Sequence, residues 1–253
     1  MTGRRGDRRA SRRLVATIVG AALVLAACGD AASSTDSTLS TPVDAVGVPT
    51  DHGLSETRLA EVIASTVGIE GVACGRLAHG SGFALTAELI VTNAHVILGM
   101  DEIRVFVFDG RELRGVPVSF DPDADLAILE VADADLVPLP LAADAESGSI
   151  GAVFGWEDGP FPDPTPYRIE RPVTVRIERV GGTERIERRS WLLAAEIDLG
   201  DSGAAMVDPS GEVVGVTFAT STATRSVGYA VRSSEIEALM ARGMDANLTV
   251  PDC

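Results

Sequence analysis

Val91-Thr92-Asn93-Ala94-His95-Val96 ends a short apolar run on a histidine, with small Ala94 beside it to leave the ring accessible. Similar short apolar stretches, separated by turn residues, lie on either side of it. Upstream and through it, the pattern predicts strands at 68–74, 82–87 and 89–94; downstream it predicts strands at 103–108, 113–119 and 126–131. The pattern breaks at VADADLVPLPLAADAESGS and resumes with strands at 149–154, 172–179, 190–197, 203–207, 212–219 and 226–231. A helix at 234–242 follows. Ser234-Glu235-Ile236-Glu237 reads as its capping box and Gly243 as its end. Two groups of about six short strands and a closing helix predict an all-β protein. Its expected form is two six-stranded antiparallel β-barrels, at about 68–135 and 147–231.

Two other segments carry chemistry. Asp121-Pro122-Asp123-Ala124-Asp125 opens the apolar strand Leu126-Ala127-Ile128-Leu129, and Gly200-Asp201-Ser202-Gly203 forms a glycine-bounded turn. A serine hydroxyl is a weak nucleophile until a base removes its proton. Histidine suits that task near neutral pH, and a carboxylate orients the imidazole and stabilises its charged form. Of the other histidines, His52 falls outside the strand region and His79 precedes Gly80-Ser81-Gly82 without a motif of its own. Asp121 and Asp123 flank Pro122 and read as turn formers, whereas Asp125 opens the strand itself. Backbone N–H groups in a Gly-x-Ser-Gly turn can stabilise an oxyanion, because glycine permits unusual backbone angles and close approach.

Taken in the order His95, Asp125, Ser202, these segments resemble the trypsin-like (chymotrypsin-fold) serine peptidases. They are more narrowly similar to the HtrA-like branch and, within it, to actinobacterial acid-resistance periplasmic proteases. The resemblance covers about 68–253 and carries implications residue by residue. His95, Asp125 and Ser202 would form the catalytic triad, and the N–H groups of Gly200 and Ser202 the oxyanion hole. Glu196 and Thr217, Phe218, Ala219 and Thr220 would line the pocket for the residue before the scissile bond. An acid at 196 would select Arg or Lys, although a surface glutamate in an acidic protein is the plainer reading. The family usually continues with Gly-Pro after GDSG, whereas this chain has Ala204-Ala205. The extra methyl at 204 raises the question of a shifted backbone beneath the nucleophile. Neither metal nor cofactor is implied.

The N-terminus predicts export. Six arginines within the first thirteen residues precede fourteen uncharged residues, LVATIVGAALVLAA, at 14–27. This is a signal-peptide pattern, too short for a spanning helix of about 20 residues. Leu25-Ala26-Ala27-Cys28 resembles a bacterial lipobox, so Cys28 is the expected lipidation site, on the outer face of the cell membrane. Arg12-Arg13 also resembles a twin-arginine signal, though paired arginines recur in this segment. Residues 28–54 are rich in Ser, Thr, Asp, Gly and Pro and read as a flexible tether. Such a linker spans roughly 25–30 Å. The protease domain would then occupy 55–253, entered through a helix capped by Ser55. With Cys28 lipidated, Cys74 and Cys253 remain in an oxidising compartment, and the resemblance also pairs them in a disulfide.

Charge narrows the partners. The formal charge is −16, with every one of the 21 basic residues an arginine. Removing residues 1–27 takes away six arginines and one aspartate and leaves −21. Such a surface repels phosphate backbones, which argues against nucleic acid, and membrane attachment must then come from lipid. The expected function is an extracytoplasmic serine endopeptidase acting on exported proteins or peptides. A catalytically silent protease-like lipoprotein that binds a partner, and an esterase using the same triad, are the alternatives. A covalent serine probe separates the first of these from the endopeptidase; peptide and ester libraries separate the second.

Overall fold

The computed structural model describes residues 47–252 except 144, 157, 158 and 160. The signal segment, Cys28, most of the tether and Cys253 therefore lie outside the described residues.

Ser55 caps helix α1 (Glu56–Ser65), its hydroxyl accepting the Arg58 N–H at 3.3 Å. Six strands follow: β1 (Thr66–Ala73), β2 (Arg76–Ala84), β3 (Leu89–Thr92), β4 (Ile103–Phe106), β5 (Glu112–Asp121) and β6 (Leu126–Glu130). They close an antiparallel barrel in the order β1-β2-β3-β6-β5-β4. A single helical turn, α2 (Ala94–Ile97), interrupts the series after β3 and carries His95. The second six strands are β7 (Ile150–Phe154), β8 (Thr165–Glu178), β9 (Arg185–Ala194), β10 (Ala205–Val207), β11 (Val213–Thr220) and β12 (Val227–Arg232). They close a second barrel in the order β10-β11-β12-β9-β8-β7. Helix α3 (Ser233–Ala241) ends the regular structure.

Three apolar clusters explain why the barrels close. Ile69, Ile90, Ile103, Val105 and Leu129 fill the first barrel, and Val153, Tyr167, Trp191, Leu193 and Met206 fill the second. The third cluster joins Phe83, Val91, Leu126 and Ile128 of the first barrel to Phe154, Leu192, Val216 and Val231 of the second. Alternation along each strand sends one set of side chains into its own barrel and the other toward the neighbour, so the barrels are held by a shared core.

Several boundaries differ from the sequence expectation. The first strand turns back at Cys74 and Gly75, both at positive φ (53° and 73°), and β2 begins at Arg76 rather than 82. Two consecutive left-handed residues make the tight turn whose twist suits a hairpin. Strands β8 and β9 start at 165 and 185 rather than 172 and 190, forming a long ribbon whose outer end is exposed on both faces. The barrel strands accordingly run from 66 to 130 and from 150 to 232, rather than 68–135 and 147–231. The closing helix begins one residue earlier than 234, at Ser233, and ends at Ala241. The expected capping box does not form: the N-cap is Arg232, which makes no side-chain cap, and the Ser233 hydroxyl instead donates to the Ala142 carbonyl at 3.0 Å. The chain stops helically where expected, with Gly243 at φ 86° and its N–H on the Met240 carbonyl.

After α3 the chain returns to the first barrel. Asp245 N–H donates to the Val118 carbonyl, Val250 packs on the first-barrel cluster, and the Pro251 carbonyl accepts the Gly99 N–H at 3.1 Å. That last bond lies two residues beyond the helical turn bearing His95.

Candidate active site

The strand end at 91–93 fixes the histidine. Thr92 and Asn93 are fully buried; the Thr92 hydroxyl donates to the Ser81 carbonyl and Asn93 Nδ2 donates to the Asp125 carbonyl at 2.8 Å. The chain then turns into α2, which leaves the His95 side chain 37% exposed at the barrel junction. Asp125, by contrast, is 2% exposed. Its Oδ1 accepts the His95 backbone N–H at 2.9 Å, and its two carboxylate oxygens lie 3.0 and 2.9 Å from His95 Nδ1. A carboxylate so placed holds Nδ1 as the protonated nitrogen and leaves Nε2 free to accept a proton.

The turn that presents Asp125 is built by its neighbours. Asp121 Oδ1 accepts the N–H groups of Asp123 and Ala124 at 2.9 and 3.0 Å, and Arg242 bonds Asp121 Oδ2. Burial pushes the Asp121 carboxyl up. The Ala124 N–H, Arg242 and the Asp123 N–H outweigh that, and hold it below the usual carboxylate range. Asp121 is thus the turn former, and Asp123 faces Arg179 at 2.7 Å. Asp125 itself sits at φ 59°, a conformation unfavourable for any side chain but glycine's and least so for Asn and Asp.

One residue that the sequence reading missed meets this carboxylate from the second barrel. Arg188 on β9 is buried, and its Nη1 lies 3.3 Å from Asp125 Oδ2. Its Nε donates to the Asp123 carbonyl at 2.9 Å, and its guanidinium carbon lies 4.9 Å from the centre of the Phe218 ring. Burial pushes the Arg188 guanidinium down from its ordinary value, while the charges of Asp125, Asp121 and Asp123 pull it up. No short-range sequence signal marks Arg188, one of five arginines between 176 and 189.

The serine turn is anchored as firmly. Residues Leu199–Asp201 form one 3₁₀ turn, with Asp201 Oδ2 accepting the Asp198 N–H at 3.0 Å. A methyl on Gly155 would strike Asp201 Oδ1 at 1.8 Å, so only glycine leaves room for that side chain. Ser81, fully buried on β2, grips the turn twice: its N–H donates to the Ser202 carbonyl at 2.8 Å and its hydroxyl to the Gly200 carbonyl at 2.7 Å. Gly203 takes φ 87°, where a methyl would meet the Ser81 carbonyl at 2.2 Å and the Asn93 nitrogen at 3.2 Å. The turn bearing Ser202 therefore packs directly on the strand end that leads to His95. Among the described residues no hydrogen bond joins Ser202 Oγ to His95. Such bonds commonly tighten only with substrate in place.

Ala204 stands where the resembling family usually has glycine. Its side chain is buried in the second-barrel cluster, and its N–H reaches the Asp201 carbonyl at 2.9 Å. The expected pocket residues divide. Glu196 is exposed, and Ala219 and Thr220 are half-buried. The Thr217 hydroxyl is buried and donates to the Asp201 carbonyl, and the Phe218 ring lies under Arg188. Ile197, next to Glu196, lies against Gly228, where a methyl would meet its Cγ1 at 2.5 Å. His52 Nδ1 accepts the Leu54 N–H, and exposed His79 pairs across the hairpin with Glu70. Among the described residues no group of His, Cys, Asp and Glu could hold a metal ion.

Comparison with known proteins places this geometry. Serine protease Rv3671c (MarP) of Mycobacterium tuberculosis strain H37Rv is 30% identical over 206 residues, which cover 80% of this chain and 52% of that protein. Mitochondrial serine protease HTRA2 of Bos taurus is 30% identical over 184 residues, covering 68% of this chain and 37% of its own length. The chain thus spans about half the length, or less, of these curated relatives. The crystal structure of the Rv3671c protease in its active form superposes with a TM-score of 0.74 at 27% identity, covering 85% of this chain and 99% of that one. The family model for the trypsin-like peptidase domain matches residues 80–216, which run from within β2 to within β11 and take in His95, Asp125 and Ser202. On that match, which takes in more than half of the sequence, the chain belongs to the trypsin-like peptidases.

Proposed function

We propose that the protein is an extracytoplasmic, membrane-anchored serine endopeptidase that cleaves exported proteins or peptides through an acyl-enzyme. The observation that carries this reading is the buried Asp125 carboxylate, 2.9 Å from His95 Nδ1, with the serine turn packed on the same strand end. Ser202 Oγ attacks the scissile carbonyl while His95 Nε2 takes its proton. The N–H groups of Gly200 and Ser202 receive the oxyanion. His95 then gives the proton to the leaving amine, and water repeats the sequence on the ester. Exposed Glu196 and the half-buried Ala219 and Thr220 remain candidates for the substrate-facing wall. A fluorophosphonate probe tests the reading: it should label wild-type protein at Ser202, and an unlabelled protein would point to the silent binder instead.

The organisation proposed is a signal peptide at 1–27, a tether at 28–54 and the protease domain at 55–253. Among the described residues no helix is long and apolar enough to cross a membrane, and Leu25-Ala26-Ala27-Cys28 supports a lipid anchor. The mature protein should begin at Cys28 and carry two or more acyl chains, because a single chain binds membranes only marginally. Intact-mass spectrometry of detergent-extracted protein checks this; an unmodified N-terminus downstream of 28 would refute it.

A further inference from the structure

Asp125 is buried, yet the imidazole beside it is neutral whenever His95 is ready to accept a proton. During that part of the cycle the carboxylate needs another source of positive charge, since an ionised carboxylate out of water is stable only when paired and hydrogen-bonded. Arg188 is the cation at hand. It is itself inaccessible, with its side chain 2% exposed, so it does not touch substrate. It reaches the carboxylate from β9, a strand of the other barrel.

The guanidinium is held on every side. Nε donates to the Asp123 carbonyl at 2.9 Å, Nη2 lies 3.5 Å from the Pro122 carbonyl, and Nη1 faces Asp125 Oδ2 at 3.3 Å. The Phe218 ring from β11 closes the remaining face. Arginine's planar fork suits this task, because one rigid group binds the backbone of the turn and the side chain it presents. The turn needs such a clamp: Asp125 is left-handed at φ 59°, and strained conformations persist only where the surroundings over-determine them. At the tip of the ribbon, past the end of β8, Arg179 holds Asp123 and the Val180 N–H meets the Pro122 carbonyl, so the β8–β9 ribbon contacts the 122–125 turn at both places.

Resting on the triad reading above, we propose that Arg188 is a positioning residue for catalysis, acting through Asp125 from the second barrel. It fixes the carboxylate against His95 Nδ1 and ties the turn bearing Asp125 to the barrel bearing Ser202. Displacement of catalytic groups by about 1 Å can cost on the order of 10²-fold in rate. Arg188→Gln should therefore lower kcat by about 10–100-fold with KM nearly unchanged. Arg188→Lys, which keeps the charge and loses the fork, should recover part of that loss.

Two measurements separate this role from plain structural support. The low-field proton NMR resonance of the His95 Nδ1–H should move in both variants. In an Asp125→Asn background, Arg188→Gln should cost little further activity, because residues acting as a unit are non-additive. An unchanged kcat in folded Arg188→Gln protein would overturn the proposal, as would a loss that persists in full in the Asp125→Asn background. If the Gln variant does not fold, the Lys variant carries the test: an unmoved resonance then overturns it. The resonance is read without turnover, so it still decides the coupling if fluorophosphonate labelling shows the triad reading itself to be wrong.

Discussion

Asp125→Asn should lower kcat by about 10⁴-fold in a protein that still folds. The amide places an N–H₂ where the carboxylate now faces His95 Nδ1 at 2.9–3.0 Å. Nδ1 is then driven to accept a hydrogen bond, Nε2 carries the proton, and the imidazole can no longer take one from Ser202. The change also removes the charge that faces Arg188. Breaking one side of a buried pair costs about 3–5 kcal/mol in general, moderated here because the carboxylates of Asp121 and Asp123 remain nearby. Ser202→Ala should be more severe still and abolish measurable turnover, since it removes the proposed nucleophile without enlarging a buried side chain. Peptide hydrolysis rates and thermal melts of the two variants beside wild type check both statements. Undiminished cleavage by the Ser202→Ala protein would sink the assignment.

The second large effect is on stability. Cys74 is disulfide-bonded, and we propose Cys253, which lies outside the described residues, as its partner. The tail supports the pairing, because it runs back along the first barrel through Val250 and the Gly99–Pro251 hydrogen bond. A cross-link between positions 74 and 253 closes a very long loop. In the chain-entropy model it would stabilise the fold by roughly 5 kcal/mol, an upper figure. For a domain of this size that corresponds to about 10–20 °C in Tm. Cys74→Ser/Cys253→Ser protein, or reduced wild type, should melt lower by an amount in that direction and below that ceiling. Activity should fall with it, because the released tail no longer holds Gly99 beside the turn that carries His95. Non-reducing peptide mapping that finds both thiols free would remove the bond; an unchanged melt would remove its role.

Much of the fold was legible because barrel strands write their burial into the sequence. Every one of the twelve strands was marked by a short apolar run, and the two barrels follow from their grouping. The boundaries that went astray have specific causes. At 76–79 the strand is mostly exposed, so it carries no alternation, and the hairpin turn at Cys74-Gly75 lacks the usual Asn-Gly signal. Along 185–189 arginines and a glutamate cover the outer end of a ribbon that is paired with 174–178 by backbone hydrogen bonds and needs few apolar side chains, and along 165–171 only Tyr167 and Ile169 are buried, too few to mark a strand. At 233–234 two serines compete for one cap, and the first is drawn off to the Ala142 carbonyl, 91 residues away.

The candidate site divides along the same line. His95, Asp125 and Ser202 could be read from local sequence because each stands in a short segment with its own chemical pattern: a strand end with small neighbours, a strand opening after a turn, a glycine-bounded turn. The sequence by itself thus determined the strand content, the three chemical segments and their order. Only the tertiary structure decided what holds them: Arg188 against Asp125 across 63 residues, Ser81 against Gly200 across 119, and Arg242 against Asp121 across 121. It also decided that Phe218 serves as the floor under Arg188 and that the Thr217 hydroxyl braces Asp201. The physical reason is one of range. Periodicity and turn chemistry act between residues a few positions apart and leave a local record. A charge or hydroxyl recruited from another barrel is selected by where the closed sheets bring it, and nothing in its own neighbourhood along the chain records that position.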